Sequence, residues 1–159
     1  MKKAIIRIGF FLLGRSLQVI GHKDRYIIED ARFLPKNYII QLKVVSLDTV
    51  LTMRKKDDRF LVIKQVENPD LSIQLRDTQS ALLLLFARQT MGQAYAEHRM
   101  IVRGIVSHTM SLVRIVERTM QYLFPWFLAR TAVKYLRPMG VSGVLRKIRL
   151  YVIGLLFGV

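Results

Sequence analysis

The chain has 159 residues, 52% of them apolar, enough for one domain with a sizeable core and too apolar for a disordered segment. Its 26 Lys and Arg against 11 Asp and Glu give a formal net charge of +15, so the surface it meets is anionic: phospholipid head groups or nucleic acid. There is no cysteine, which excludes disulfides, thiolate metal sites and a cysteine nucleophile.

Residues 4–20 read as an amphipathic helix with a wide apolar face and a thin basic one. The opening stretch MKKAIIRIGFFLLGRS does not read as a secretory signal, because Arg7 interrupts the apolar run, Arg15 closes it early and no small-residue cleavage site follows. From Asn37 the period becomes that of strands. The runs Tyr38–Val44, Thr49–Arg54, Arg59–Lys64 and Leu71–Arg76 are separated by short turns, at Lys55–Asp58 and Asn68–Asp70 among others, and predict an antiparallel meander. Asp77 is a plausible N-cap for a deeply buried leucine-rich helix. Met91-Gly92 reads as a helix end, and Gln93–His98 as a short second helix. Met100–Ile105 is one more strand. A helix from Thr109 to Leu123 puts Met110, Val113, Val116 or Glu117, and Met120 on one side and Leu112, Ile115, Val116 and Thr119 on another. Two further helices are expected, from Pro125 to Leu136 and from Gly143 to Phe157.

The basic charge gathers at the two ends. Residues 1–20 carry Lys2, Lys3, Arg7 and Arg15 with no acid, and residues 101–159 carry nine bases and a single acid, Glu117. Bases dispersed among Ile, Leu and Phe suit helices lying on a membrane surface. Nucleic acid is disfavoured, since no basic run is interleaved with strand aromatics as on single-strand binding platforms. A spanning helix needs about 20 apolar residues, and no window supplies them without a charge.

The segments Pro69-Asp70-Leu71-Ser72-Ile73-Gln74-Leu75, Ser80–Ala87, Ala94–Gly104 and Ser111–Val116 resemble the sterol carrier protein type-two domain family, whose members carry these elements in this order. Residues 37–66 agree by strand pattern. Ile105 stands where the family usually has Asp, and the two ends lie outside the usual domain. The basic, helix-rich ends look similar to the branch of bacterial accessory lipid-binding factors in ubiquinone synthesis. The resemblance implies an α+β fold, with a mainly antiparallel five-stranded sheet covered by helices around an apolar lipid tunnel, plus basic amphipathic terminal helices. It implies division into an N-terminal helix (1–22), a lipid-binding domain (23–123) and C-terminal helices (124–159). The tunnel would be lined by Ile73, Leu82, Leu85, Phe86, Met91, Tyr95, Met100, Val102, Leu112, Ile115 and Val116.

Other constellations favour structural readings. His22, His98 and His108 lack ligand spacing, so no metal is expected. Asp57-Asp58 reads as a solvated turn, and Asp24, Glu29 and Asp30 as a solvated charged loop. Ser107-His108-Thr109 has no nucleophile elbow, and the glycines make no dinucleotide fingerprint. Met91, Met100, Met110, Met120, Phe86, Tyr95, Phe124 and Trp126 read as core residues or as a deformable wall around a lipid tail.

The expectation is a non-catalytic protein with no cofactor that binds or carries a lipid (isoprenoid, sterol-like or phospholipid), peripheral on the cytoplasmic, inner face of an anionic membrane. Lys2, Lys3, Arg7, Trp126, Arg130, Lys134, Arg146, Lys147 and Arg149 would touch that membrane. The rival reading is a structural or regulatory subunit whose apolar basic helices pack on a protein partner.

Overall fold

A computed structural model describes residues 2–86 and 88–123. Helix α1 (Lys2–Ile20) turns Ile6, Phe10, Leu13, Leu17 and Ile20 inward, a row with steps of three and four residues. This row is buried in the same core as the sheet, against strands and helices that follow it in the chain. Helix α1 is thus built into the domain. Its outer side leaves Lys2, Lys3, Ile5, Arg7, Ile8 and Phe11 exposed.

Helix α2 (Arg25–Ala31) occupies the segment expected to be a solvated charged loop. Asp24 corrects that reading: it is 1% exposed and caps α2, its carboxylate accepting from the backbone N–H of Tyr26 at 2.9 Å and of Ile27 at 3.4 Å.

Strands β1 (Ile39–Val44), β2 (Thr49–Lys56), β3 (Arg59–Ile63), β4 (Leu71–Leu75) and β5 (Met100–Arg103) form one sheet in the order β3-β2-β1-β4-β5. The pairs β1–β2, β2–β3 and β4–β5 are antiparallel, as expected for most of the sheet. Strands β1 and β4 are parallel, Ile40 lying opposite Leu71 and Val44 opposite Leu75, so the strands do not form a simple meander. Residues 64–70 therefore carry the chain from one sheet edge past β2 and β1. They cross the face that the helices leave uncovered, where the Gln41 side-chain amide donates to the Val66 carbonyl at 3.0 Å.

The period of two decides which sheet face is core. Ile40, Leu42 and Val44 of β1, Leu51 and Met53 of β2, Leu71, Ile73 and Leu75 of β4, and Met100 of β5 all point at the helices and are buried. Lys55 belongs to β2 rather than to the turn and shares this face. It is 5% exposed and its ammonium donates to the Leu34 carbonyl at 2.6 Å. The turn itself is only Asp57-Asp58, both exposed.

Helix α3 (Thr78–Leu85) starts at the Asp77 cap, whose carboxylate accepts from the Ser80 N–H at 2.7 Å. Helix α4 (Met91–Ala96) begins where the sequence suggested a helix end. Thr90 and Gln93 form a reciprocal capping box, so Met91 and Gly92 are its first residues. Helix α5 (Val106–Leu123) packs on α1 and α2 and buries Thr109, Leu112, Ile115, Val116, Thr119 and Tyr122. Gly104, before α5, has φ +142°, and a Cβ there would lie 2.6 Å from Leu71 Cδ1. The helices expected from Pro125 onward lie outside the described residues.

Candidate apolar-ligand site

Helix α5 has a second face, which does not enter the core. Val106, Met110, Val113, Glu117 and Met120 follow one another at steps of three or four and so form one row. A cavity flanks each end of it.

The first cavity, of about 170 Å³, lies between α4, β5 and the first half of α5. Its walls are Met91, Gly92 and Tyr95 from α4, Met100 and Val102 from β5 with Gly104 after it, and Val106, Thr109, Met110 and Val113 from α5. The one hydroxyl contributed by α5, on Thr109, donates to the Ile105 carbonyl at 3.1 Å. The second cavity, of about 190 Å³, lies at the other end of α5. It is walled by Ile5, Ile8, Gly9, Leu12 and Leu13 from α1, Leu85 and Phe86 at the end of α3, and Met120 and Leu123 from α5. All nine of those residues are apolar. Gly9 brings the two helices together there, since a Cβ at that position would sit 2.6 Å from Leu85 Cδ1. Cavities of about 150 Å³ lined by apolar side chains stay dry and take up benzene, so each of these two has room for a ring or a short length of chain.

The residues expected to line a tunnel divide among these places. Met91, Tyr95, Met100 and Val102 line the first cavity, and Leu85 and Phe86 the second. Leu82 lies in a shallow cleft on α3 with Gln79, Leu83 and Arg88. Ile73, Leu112, Ile115 and Val116 are at most 1% exposed and belong to the close-packed core. The walls supplied by α1 and by Leu123 carried a faint signal in the sequence, the unusual width of the α1 apolar face. Of the residues expected at a membrane, Lys2, Lys3 and Arg7 are exposed on the first two turns of α1, beside the exposed Ile5, Ile8 and Phe11. Trp126, Arg130, Lys134, Arg146, Lys147 and Arg149 lie outside the described residues.

Between the cavities sits Glu117, half-buried on the row between Val113 and Met120. The backbone N–H of Met91 faces its carboxyl and favours the charged form; burial outweighs it and raises the group above its ordinary value.

Two polar clusters elsewhere fasten elements together. The Asp24 carboxylate accepts from the Tyr122 hydroxyl and, at 3.3 Å, from Arg118 Nε, and the Arg118 guanidinium lies over the rings of Tyr26 and Tyr122 at 5.1 and 5.6 Å. Burial alone would raise the Asp24 carboxyl. The Tyr122 hydroxyl, Arg118 and the two backbone N–H groups outweigh it and hold the group below its ordinary value. The second cluster joins His108 Nδ1 to the Tyr38 hydroxyl at 3.0 Å, edge to face, and Tyr38 to the Asp70 carbonyl at 3.4 Å. It ties the start of α5 to the residues that lead into β1 and β4.

Among the described residues no single helix is long and apolar enough to cross a membrane; α1 and α2 pass together by length and composition, but the chain bends by 97° between them.

No family model matches the chain, and no curated protein matches it. Solved structures do. One is a ubiquinone synthesis protein, UbiJ-SCP2, at 13% identity and a TM-score of 0.54, with 74% of this chain and 97% of that one covered. Another is sterol carrier protein 2 like 2 of Aedes aegypti, at 14% identity and a TM-score of 0.46, with 69% and 98% covered. The sheet order, the helices on one face and the first of these likenesses agree: the chain carries the sterol carrier protein type-two fold.

Proposed function

We propose that this chain binds and carries a lipid without transforming it, docked by its basic ends on an anionic membrane at the cytoplasmic face. The observation that carries this reading is the second cavity, walled by nine apolar residues, one wall being the helix whose first turns expose Lys2, Lys3 and Arg7. A lipid held there gains affinity from apolar area withdrawn from water, at about 25 cal/mol per Å², and needs no positioned catalytic group. The name of the solved structure with this fold makes a lipid of ubiquinone synthesis the first ligand to look for. Flotation with vesicles tests the docking. Vesicles of phosphatidylcholine with phosphatidylglycerol should retain the protein at low salt and release it at high salt, while phosphatidylcholine alone should not retain it. Equal binding to both would sink the membrane half of the proposal.

A second reading, a subunit that packs on a protein partner, is favoured by the exposed Tyr95, Ile105, Val106 and Met110 around the first cavity, 54%, 58%, 69% and 49% exposed. On that reading a lipid probe finds no stoichiometric site.

A further inference from the structure

Of the chain's 11 acids, five form ion pairs. Asp24 has Arg118, Glu29 has Arg25, Asp30 has Arg114, Asp48 has Lys43 and Glu97 has Arg99. Asp57, Asp58, Glu67 and Asp70 carry no ion pair among the described residues but are exposed, and the Asp77 carboxylate caps α3. Glu117 is different. It is the only acid in residues 101–159, it is half-buried, and among the described residues no basic side chain pairs with it.

Its place explains what it meets instead. On α5 the residue before it in the row, Val113, is a wall of the first cavity, and the one after it, Met120, is a wall of the second. These two are separated by two turns, about 10 Å of helix. Opposite them stand Met91, a wall of the first cavity whose N–H faces Glu117, and Leu85 with Phe86, walls of the second. On the row, Glu117 therefore stands between the walls of two apolar spaces. An ionised carboxylate offers about four acceptor positions, and the Met91 N–H can fill at most one of them. The first turn of α4 does not depend on it, because Thr90 and Gln93 already cap that helix.

We propose that Glu117 is the polar anchor of the ligand site, accepting a hydrogen bond from the hydroxyl of an uncharged amphiphile whose apolar body fills the flanking cavities. This inference rests on the lipid-binding reading and narrows its ligand class. A fatty carboxylate or a phosphate placed beside Glu117 would face a like charge in a partly desolvated setting, and a plain hydrocarbon would leave the carboxylate's remaining acceptors without donors. An alcohol or a phenol satisfies them.

The test uses the full chain, purified without detergent, and two fluorescent probes of equal length: pyrene-capped dodecanol and pyrene-capped dodecanoic acid, titrated at pH 8 where the acid is ionised. The wild type should bind the alcohol about tenfold or more tighter than the acid, the scale of one charge-assisted hydrogen bond. Glu117→Gln keeps an acceptor for the Met91 N–H and removes the charge; it should bring the two probes within about twofold of each other, mainly by gaining the acid. Glu117→Leu should lose affinity for the alcohol while keeping a pyrene-capped dodecane unchanged. A purely structural glutamate would lower all probes together and lower the melting temperature with them. An alcohol preference that survives in Glu117→Gln overturns the assignment while leaving lipid binding in place. Failure of every probe to bind the wild type overturns lipid binding itself, and the anchor with it.

Discussion

Replacing Asp24 by Ala should be among the most damaging single changes in the described chain, although the residue touches no cavity. The side chain is 2% exposed and gathers four donors: two backbone N–H groups of α2, the Tyr122 hydroxyl and Arg118, itself only 11% exposed. Losing the cap alone costs about 1 kcal/mol. Each hydrogen bond to a charged acceptor is worth about 1.5–3 kcal/mol. These contributions overlap, so the better guide is the loss of one member of a buried ion pair, about 3–5 kcal/mol. Against a typical total stability of about 5–15 kcal/mol this is a large fraction. At about 2–4 °C per kcal/mol for a chain of this size, the melting temperature should fall by roughly 10 °C. Asp24→Asn keeps a competent cap and should lose about half as much. Tyr122→Phe removes one donor and should cost about 1–2 kcal/mol. The assay is urea denaturation of the three variants and of the Asp24→Ala/Tyr122→Phe double variant. The cycle should return a coupling of about 1 kcal/mol or more. A loss below about 1 kcal/mol in Asp24→Ala would refute the view that this cluster fastens α2 to the end of α5.

The same carboxylate predicts an acid transition. Its folded-state pKa is depressed, so its stabilisation is complete above the ordinary carboxylate value near 4 and is lost as pH falls through the lower folded value. Wild type should therefore lose more stability than Asp24→Asn on acidification below about pH 4, read by denaturation midpoints. Glu117 carries the opposite sign: its raised pKa makes the charged form a burden above the ordinary value, so Glu117→Gln should be no less stable than wild type at pH 7 and should have a flatter midpoint between pH 4 and 7. Gly104→Ala forces a Cβ onto Leu71 at φ +142° and should destabilise by about 1–3 kcal/mol by thermal melting. Replacing Lys2, Lys3 and Arg7 together by Ala should weaken binding to phosphatidylglycerol vesicles roughly a hundredfold, at about 1 kcal/mol per charge.

Which of these features could be read in the sequence follows from the range of the interactions behind them. Local signals were legible. The alternation in Leu71–Leu75 gave its strand, and Asp77 before a leucine run gave the α3 cap. Thr90 and Gln93 formed an equally local signature, but Gly92 between them pulled the reading toward a helix end. Asp24 lay among alternating charges that look solvated, and what buries it are Arg118 and Tyr122, 94 and 98 residues away. The parallel β1–β4 pair was hidden for the same reason, since a seven-residue link after β3 looks like any hairpin turn until its path across the sheet is known. At the candidate site the methionines and the row on α5 were visible as periodicity. That the row joins two cavities, and that α1 walls one of them, required the packing of elements about a hundred residues apart.

The most direct test of the account is native mass spectrometry of the protein purified without detergent, followed by lipid extraction. Lipid carrying predicts a mass above the bare chain by one lipid in near-stoichiometric amount, an uncharged hydroxylated amphiphile, lost when Val113→Trp and Met120→Trp plug the two cavities. A chain that emerges at its bare mass, and stays so after incubation with vesicles containing such lipids, contradicts it and leaves the apolar surfaces to a protein partner.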